Sequence, residues 1–216
     1  LTVIMKWFIQ LLLIGAAALA QEAAPDVFVE VYYESLCPDS KEFFANQLYP
    51  TWTKIKDIMY IDTNAFGIAN FTADGEGYIF NCQHGPNECE GNMMIACGKK
   101  YIQDPELEFQ WISCIMSSFY PPFAGEQCAA SVGIPDYVYS PINKCVTSAE
   151  RQMLLHEVGV KQGFLDPVLF WVPWIIINGE WSWEMNAAAE LDLLDVVCKA
   201  YQGELPQPCL DNADEN

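Results

Sequence analysis

The stretch VFVEVYYESLCPDSKEFF, Val27 to Phe44, decides the fold. Its first seven residues are β-branched or aromatic and almost wholly apolar, which predicts a strand over Val27 to Tyr33 buried on both faces of a sheet, and hence a central strand. Pro38 suits the first position of a helix, where no amide hydrogen bond is lost. Phe43, Phe44 and Leu48 then recur at helical spacing, and Pro50 predicts the end of that helix. Cys37 therefore stands at a helix start, with Ser40 one turn on.

A thiol at that position faces unpaired backbone amides and the positive end of the helix dipole, and both favour the thiolate. The expectation is an exposed sulfur of lowered pKa. The size of the effect matters, because at pH 5 a thiol of pKa about 8.5 is roughly 0.03 % ionised and one lowered to about 5 is half ionised. Ser40 is placed to donate its hydroxyl to the thiolate; Asp39 opposes the charge and Lys41 offsets Asp39. Ser40 cannot act as a second thiol. In a Cys-x-x-Cys pair the second sulfur attacks the mixed disulfide from within the molecule, at high effective concentration, and frees the product. With Ser40 in that place, release falls to an external thiol or to another cysteine of the substrate.

The compartment is read from the other end of the chain. After Lys6, the run WFIQLLLIGAAALA closes on Ala18, Leu19 and Ala20, which predicts a secretory signal over residues 1–20. Its apolar part, about a dozen residues, is short of the roughly 20 that span a bilayer. Residues 21–216 are expected to form one domain, since neither an internal repeat nor a low-complexity linker divides them. Later apolar runs such as VLFWVPWIII are too short and interrupted to span, so no membrane insertion is expected after signal cleavage. The chain carries a net charge of −19, and −20 without the signal, which holds Lys6 and no acid. Phosphates would be repelled, which excludes nucleic acid as a partner. So acidic a surface also suits an acidic lumen.

Nine cysteines, at 37, 82, 89, 97, 114, 128, 145, 198 and 209, are many for a secreted chain of this length and point to disulfides. The number is odd, so one stays free or pairs with another molecule, and Cys37 itself is either that one or a partner of the other eight. Eight cysteines allow 105 connectivities. Cys198 and Cys209 flank the end of the last predicted helix, and a bridge there would stabilise by roughly 3 kcal/mol in the chain-entropy model. A zinc set of Cys82, His84, Cys89 and Cys97 matches no short-spaced ligand pair, and an oxidising lumen favours disulfides over bound thiolates. No metal or other cofactor is expected.

A second strand is predicted over Met59 to Phe66, then a Gly-rich polar stretch with the glycosylation acceptor Asn70, Phe71, Thr72. From Cys82 to about residue 160 the pattern turns helical and cysteine-dense, which reads as an inserted helical subdomain pinned by disulfides. FWVPWIIINGEW predicts a hairpin about Asn178 and Gly179, with Pro173 at a strand start that admits a cis peptide. NAAAELDLLDVVCKAYQG predicts an amphipathic helix closed by Gly203. His84 and His156 read as structural or surface residues, since neither is near Cys37 in sequence, and the tryptophans read as packing. Strand, cysteine at a helix start, helical insert, proline-led hairpin and closing helix are together the order of an α/β thioredoxin-like fold.

The stretch CQHGPNECEGNMMIAC, Cys82 to Cys97, carries a more specific signal. It resembles the signature CQHG-x2-EC-x2-N-x4-C of the lysosomal thiol reductases induced by γ-interferon and their invertebrate relatives, at Cys82, Gln83, His84, Gly85, Glu88, Cys89, Asn92 and Cys97. The resemblance extends through VYYESLC, LYPTW at Leu48 to Trp52, VPW at Val172 to Trp174 with Asn178 and Gly179, and YQG at Tyr201 to Gly203. It implies a thioredoxin-like enzyme that reduces protein disulfides in endosomes or lysosomes, with disulfide-containing proteins as substrates and a small lumenal thiol as reductant. The family's Cys-x-x-Cys falls on Cys37 and Ser40, so the nucleophile carries over and the resolving cysteine does not. Pro173 matches the position that faces the reactive sulfur in thioredoxin-like folds. Mannose-dependent lysosomal sorting would need a glycan, for which Asn70 is the acceptor, and secretion is the other destination. A catalytically weakened binding or host-defence protein that captures partners is the alternative to the enzyme.

Overall fold

The computed structural model describes residues 24–215; the expected signal at residues 1–20 lies outside them. Strand β1, Val27–Tyr33, is the centre of a three-stranded sheet, with β2, Met59–Ala65, parallel on one side and β5, Trp174–Ile177, antiparallel on the other. Both faces of β1 are covered, as the apolar run requires. Val27, Val29, Val31 and Tyr33 enter the main core, and Tyr32 packs in a second cluster with Trp174 and Ile176 on the opposite face.

The helix after Cys37 does not stop at Pro50. It runs as α1, Pro38–Phe43, a π turn over Phe44–Leu48, and α2, Tyr49–Ile55. The wider π turn restarts the hydrogen-bond ladder, so Pro50 falls in the first turn of α2, where its missing N–H costs nothing. The polar stretch after β2 is also more ordered than its glycines imply. It forms a hairpin of β3, Asn70–Asp74, and β4, Gly77–Asn81, with Asn70 exposed at its first position. The alternation of Phe71, Tyr78 and Phe80 is its signal, since these rings pack with Phe66 and His156 beneath them.

Between β4 and β5 lie α3, Pro86–Tyr101, α4, Pro105–Ser117, α5, Gly125–Val132, α6, Asp136–Val146, and α7, Glu150–Gln162. Trp111 is wholly buried at their centre and donates its indole N–H to the carbonyl of Gly125 at 2.9 Å. Asp62 on β2 ties two of these helices to the sheet, through Lys99 at 2.6 Å and Lys161 at 2.5 Å. Other tryptophans are surface residues: Trp171 and Trp183 are exposed.

The turn at Asn178 and Gly179 forms, both residues having positive φ, but the expected hairpin is reduced to one bridge between Ile177 and Glu180. The Asn178 side chain instead accepts the Phe28 N–H at 2.9 Å, tying the turn to β1, and Ser182 at once caps helix α8, Trp183–Ala200. That helix ends at Ala200, before Gly203, and breaks at Asp192. At the break Gln47 bonds the Leu191 carbonyl at 2.7 Å and the Leu193 N–H at 3.2 Å, replacing helical partners. Helix α9, Gln207–Glu215, closes the described chain.

Four disulfides form among the described residues: Cys82 with Cys89, Cys97 with Cys145, Cys114 with Cys128, and Cys198 with Cys209. The bridge of Cys97 closes 48 residues and that of Cys82 only seven. Loop entropy then makes the first worth about 4 kcal/mol and the second about 2. Paired replacement by alanine is expected to lower the urea midpoint more for Cys97 and Cys145 than for Cys82 and Cys89; the reverse order would mean that local packing, not loop closure, sets their value.

Candidate functional site

The site is built on the turn from β1 into α1. Tyr33 holds the end of the strand by accepting the Phe66 N–H at 2.9 Å, and the chain then turns so that Cys37 donates its N–H to the Glu34 carbonyl at 3.3 Å. Cys37 is the N-cap of α1, in extended conformation, and its carbonyl accepts the Lys41 N–H at 3.0 Å. Cys37 is also the free cysteine. Its sulfur is neither bridged nor carried into the body of a helix.

The sulfur is buried, however, at 6 % exposure, which differs from the exposed thiol the sequence predicts. Burial pushes the thiol up, against hydrogen bonds from the Ser40 amide, the Ser40 hydroxyl and the Asp39 amide that favour the thiolate; the Glu34 carboxylate adds repulsion. The expected lowering is thus reversed, because desolvation outweighs the first-turn donors. Ser40 is itself fully buried, and its Oγ accepts the Glu34 N–H at 3.5 Å.

Pro173 immediately precedes β5, whose Trp174 pairs with Tyr32 in antiparallel register, so it lies at the same end of the sheet as Cys37. Its peptide bond with Val172 is cis, and its carbonyl accepts the Asn186 side-chain N–H at 3.2 Å. Beside it Phe170 is exposed, and beyond α1 Phe119 is 98 % exposed, its carbonyl accepting from Lys41 at 3.3 Å. A cleft of about 410 Å³ lined by Asp39, Glu42, Gln47 and Glu190 lies along α1.

The signature residues lie directly behind the Cys37 turn. Gly85, at φ 89°, caps α3, and Cys89 on its first turn is bridged to Cys82. Asn92, one turn further, accepts the Ser35 N–H at 3.0 Å, and the Ser35 hydroxyl donates to the Glu88 carbonyl at 3.1 Å. Gly91 permits this approach, because a Cβ there would strike Ser35. Gln83 is exposed and Cys97 buried in its bridge to Cys145.

His84 is placed where sequence distance gave no hint. Its Nδ1 lies 2.6 Å from Glu88 Oε2 and 3.2 Å from Oε2 of Glu34, three residues before Cys37. Glu34 and Glu88 are both fully buried. The Glu34 carboxylate accepts the Ile68 N–H at 2.5 Å, beneath Gly67, whose φ of 66° and lack of a Cβ leave room for it. Burial pushes Glu34 well above the usual carboxylate range; the Glu88 charge adds to this, and the Ile68 N–H and His84 oppose it. His156, by contrast, stacks on Tyr78 at 3.8 Å. The apolar environment of Glu34 could have been noticed in VYYESLC; the partner could not.

Among the described residues, Glu34, His84 and Glu88 are the group whose donor atoms lie near enough to hold a metal, all within 4.8 Å. Their spacing is that of hydrogen bonds. The 2.6 Å between Nδ1 and Glu88 Oε2 is well below the about 3.3 Å that separates neighbouring ligands of a tetrahedral zinc. Three members of the alternative set, Cys82, Cys89 and Cys97, are in disulfides.

A thioredoxin-like domain with a free cysteine at the first turn after its central strand is the architecture of a thiol–disulfide oxidoreductase, and comparison with known proteins gives the same class. DsbA of Chlamydia trachomatis superposes with a TM-score of 0.50 at 12 % identity, over 78 % of this chain and 87 % of that one, a likeness of fold. Residues 28–132 match the family model described as Gamma interferon inducible lysosomal thiol reductase (GILT). The chain is 38 % identical over 186 residues to the Gamma-interferon-inducible lysosomal thiol reductase of Carassius auratus, covering 86 % of this chain and 73 % of that protein. It is 31 % identical over 201 residues to GILT-like protein 1 of Drosophila melanogaster, covering 87 % and 80 %. The chain belongs to the GILT family.

The raised carboxyl groups predict a pH dependence of stability. Burial also pushes Glu108 up to about 7, offset in part by Lys99 and reinforced by Asp62. A carboxyl group whose folded pKa exceeds its unfolded value of about 4.3 stabilises the fold fully below that value and loses the contribution as the pH rises through the folded pKa. Asp62 acts oppositely: burial works against its charge, but Lys99 and Lys161 outweigh it and hold its pKa low, so its contribution is lost in strong acid. Thermal melts are expected to peak near pH 5 and to fall toward pH 8, and Glu108→Gln should flatten that fall, by up to about 3 kcal/mol. A melting temperature that climbs steadily to pH 8 would contradict this.

Proposed function

We propose that this oxidoreductase reduces protein disulfides through Cys37 alone. The Cys37 thiolate attacks one sulfur of a substrate disulfide; the sulfur–sulfur bond breaks, the leaving thiolate takes up a proton, and a mixed disulfide joins Cys37 to the substrate. A small lumenal thiol, as thiolate, then attacks the Cys37 sulfur and releases the substrate as a second thiol. A further molecule of that thiol reduces the resulting Cys37 adduct, so two reductant thiols are oxidised for each substrate disulfide reduced. Ser40 donates to the thiolate, and Pro173 shapes the groove for the substrate chain. The observation that carries this reading is the pairing of all eight other cysteines, which leaves Cys37 as the free sulfur.

Ser40 in place of a second thiol favours a second reading, capture of disulfide partners without turnover, because it cannot resolve the adduct. Insulin-disulfide reduction at pH 4.5 with a small thiol separates the two. Wild type is expected to turn over, Cys37→Ser to be inactive, and Ser40→Cys to be at least about tenfold faster and less dependent on the added thiol. Activity confined to Ser40→Cys would leave only the capture reading.

For its destination we read an endosome, lysosome or the extracellular space, reached through the signal at residues 1–20. The mature chain is taken as one domain, 21–216, with the helices of about 82–160 as its insert. No helix among the described residues is long and apolar enough to cross a membrane. Asn70, exposed on β3, is read as the glycan acceptor. Asn70→Gln is expected to abolish the gel-mobility shift produced by glycosidase in secreted material; an unchanged shift would place the glycan elsewhere.

A further inference from the structure

The signature residues His84 and Glu88 have no part in the exchange chemistry just described, yet they meet the turn that carries Cys37. Their hydrogen bonds assign them unequal roles. Glu88 accepts twice from His84, at Oε1 from the backbone N–H at 3.0 Å and at Oε2 from Nδ1 at 2.6 Å. Both of its oxygens thus have a donor. Glu34 accepts at Oε1 from Ile68, but its Oε2 is buried with no hydrogen bond and only the edge of His84 at 3.2 Å. A single Nδ1–H cannot serve both carboxylates, and Glu88 holds it. A buried carboxylate oxygen without a donor is costly as an anion and far less so when it carries a proton. Glu34 is therefore the member of the group that takes up and gives back a proton.

We propose that Glu34, set by Glu88 and His84, is a buried proton store that controls how readily Cys37 becomes a thiolate: protonated and neutral in acid, it leaves the thiolate unopposed, and ionised near neutrality, it repels it. This rests on Cys37 as the nucleophile. Glu34 is tied to the Cys37 turn through its backbone, its carbonyl accepting the Cys37 N–H and its own N–H donating to the Ser40 hydroxyl. The Glu34 carboxylate disfavours the thiolate, as the smallest of the influences on it after burial and the first-turn donors. The other charged groups on this side are Asp39 of α1, whose backbone amide meets the sulfur while its side chain is exposed, and Glu190 of α8, which faces Asp39. From the signature side come Glu88 and His84, and from the connection after β2 the Ile68 N–H. Neutralising Glu34 in acid therefore removes its repulsion of the thiolate. Glu34 is a positioning residue in this sense, acting on the charge of the sulfur without touching substrate.

The experiment is the rate of iodoacetamide alkylation of Cys37 from pH 4 to 9, read by mass spectrometry on the folded protein. Wild type should give a two-limbed profile with a shallow region where Glu34 ionises. Glu34→Gln should give a single titration with its midpoint at lower pH, and alkylation severalfold faster than wild type near neutral pH. Glu34→Asp, which keeps the charge, should restore two limbs. Glu88→Gln should move the shallow region to lower pH, and it decides the matter if Glu34→Gln does not fold. Profiles of the Gln variants that superpose on wild type overturn the proton store while leaving Cys37 as nucleophile. A wild-type Cys37 that is not alkylated at any pH overturns the nucleophile and the proton store together.

Discussion

The hydrogen bonds between the Ser35 turn and the first two turns of α3 are the constraint on which the rest of the site depends. Ser35 gives its N–H to Asn92 and its hydroxyl to the Glu88 carbonyl, both fully buried. A buried backbone N–H without a partner costs on the order of 1–3 kcal/mol, so the turn is held to one geometry. That geometry places Cys37 between the end of the strand and the start of the helix, with the Glu34 carboxylate turned toward Ile68 and His84. The Cys82 to Cys89 bridge closes the loop that carries His84 and leads into α3, so the signature fixes the thiol from behind.

The energetics of the thiol then follow from a contest between burial and donors. The first turn of α1 offers the amides of Asp39 and Ser40 and the Ser40 hydroxyl, and in water-like surroundings these would lower the pKa. Burial is the larger influence here, and the Glu34 carboxylate adds to it. Loss of the Glu34 charge alone would ease formation of the thiolate. The same burial of carboxyl groups that disfavours the thiolate at neutral pH stabilises the fold in acid.

Much of this fold was legible in the chain. The apolar run of Val27 to Tyr33 gave both the bounds and the central place of β1, and Pro38 after Cys37 gave the helix start, because these are local consequences of side-chain shape and the missing proline N–H. The bridge of Cys198 to Cys209 was legible from adjacency. Pro50 misled because a π turn admits a proline that a regular helix would not, and the β3–β4 hairpin was masked by Gly67, Gly75 and Gly77. The sign of the Cys37 shift was not legible, since burial is set by what packs over a residue. Nor was the meeting of Glu34 with His84, residues fifty positions apart that only the path of β2, β3 and β4 brings together.

The central claim is that one sulfur, held at the strand-to-helix turn, is left out of a fully paired set. Alkylation of the folded, unreduced protein with a small reagent, followed by denaturation, digestion and non-reducing peptide mapping, tests it most directly. The account predicts label on Cys37 alone and four bridged peptide pairs joining 82 with 89, 97 with 145, 114 with 128 and 198 with 209. A bridged Cys37, with the label on another cysteine, would contradict it.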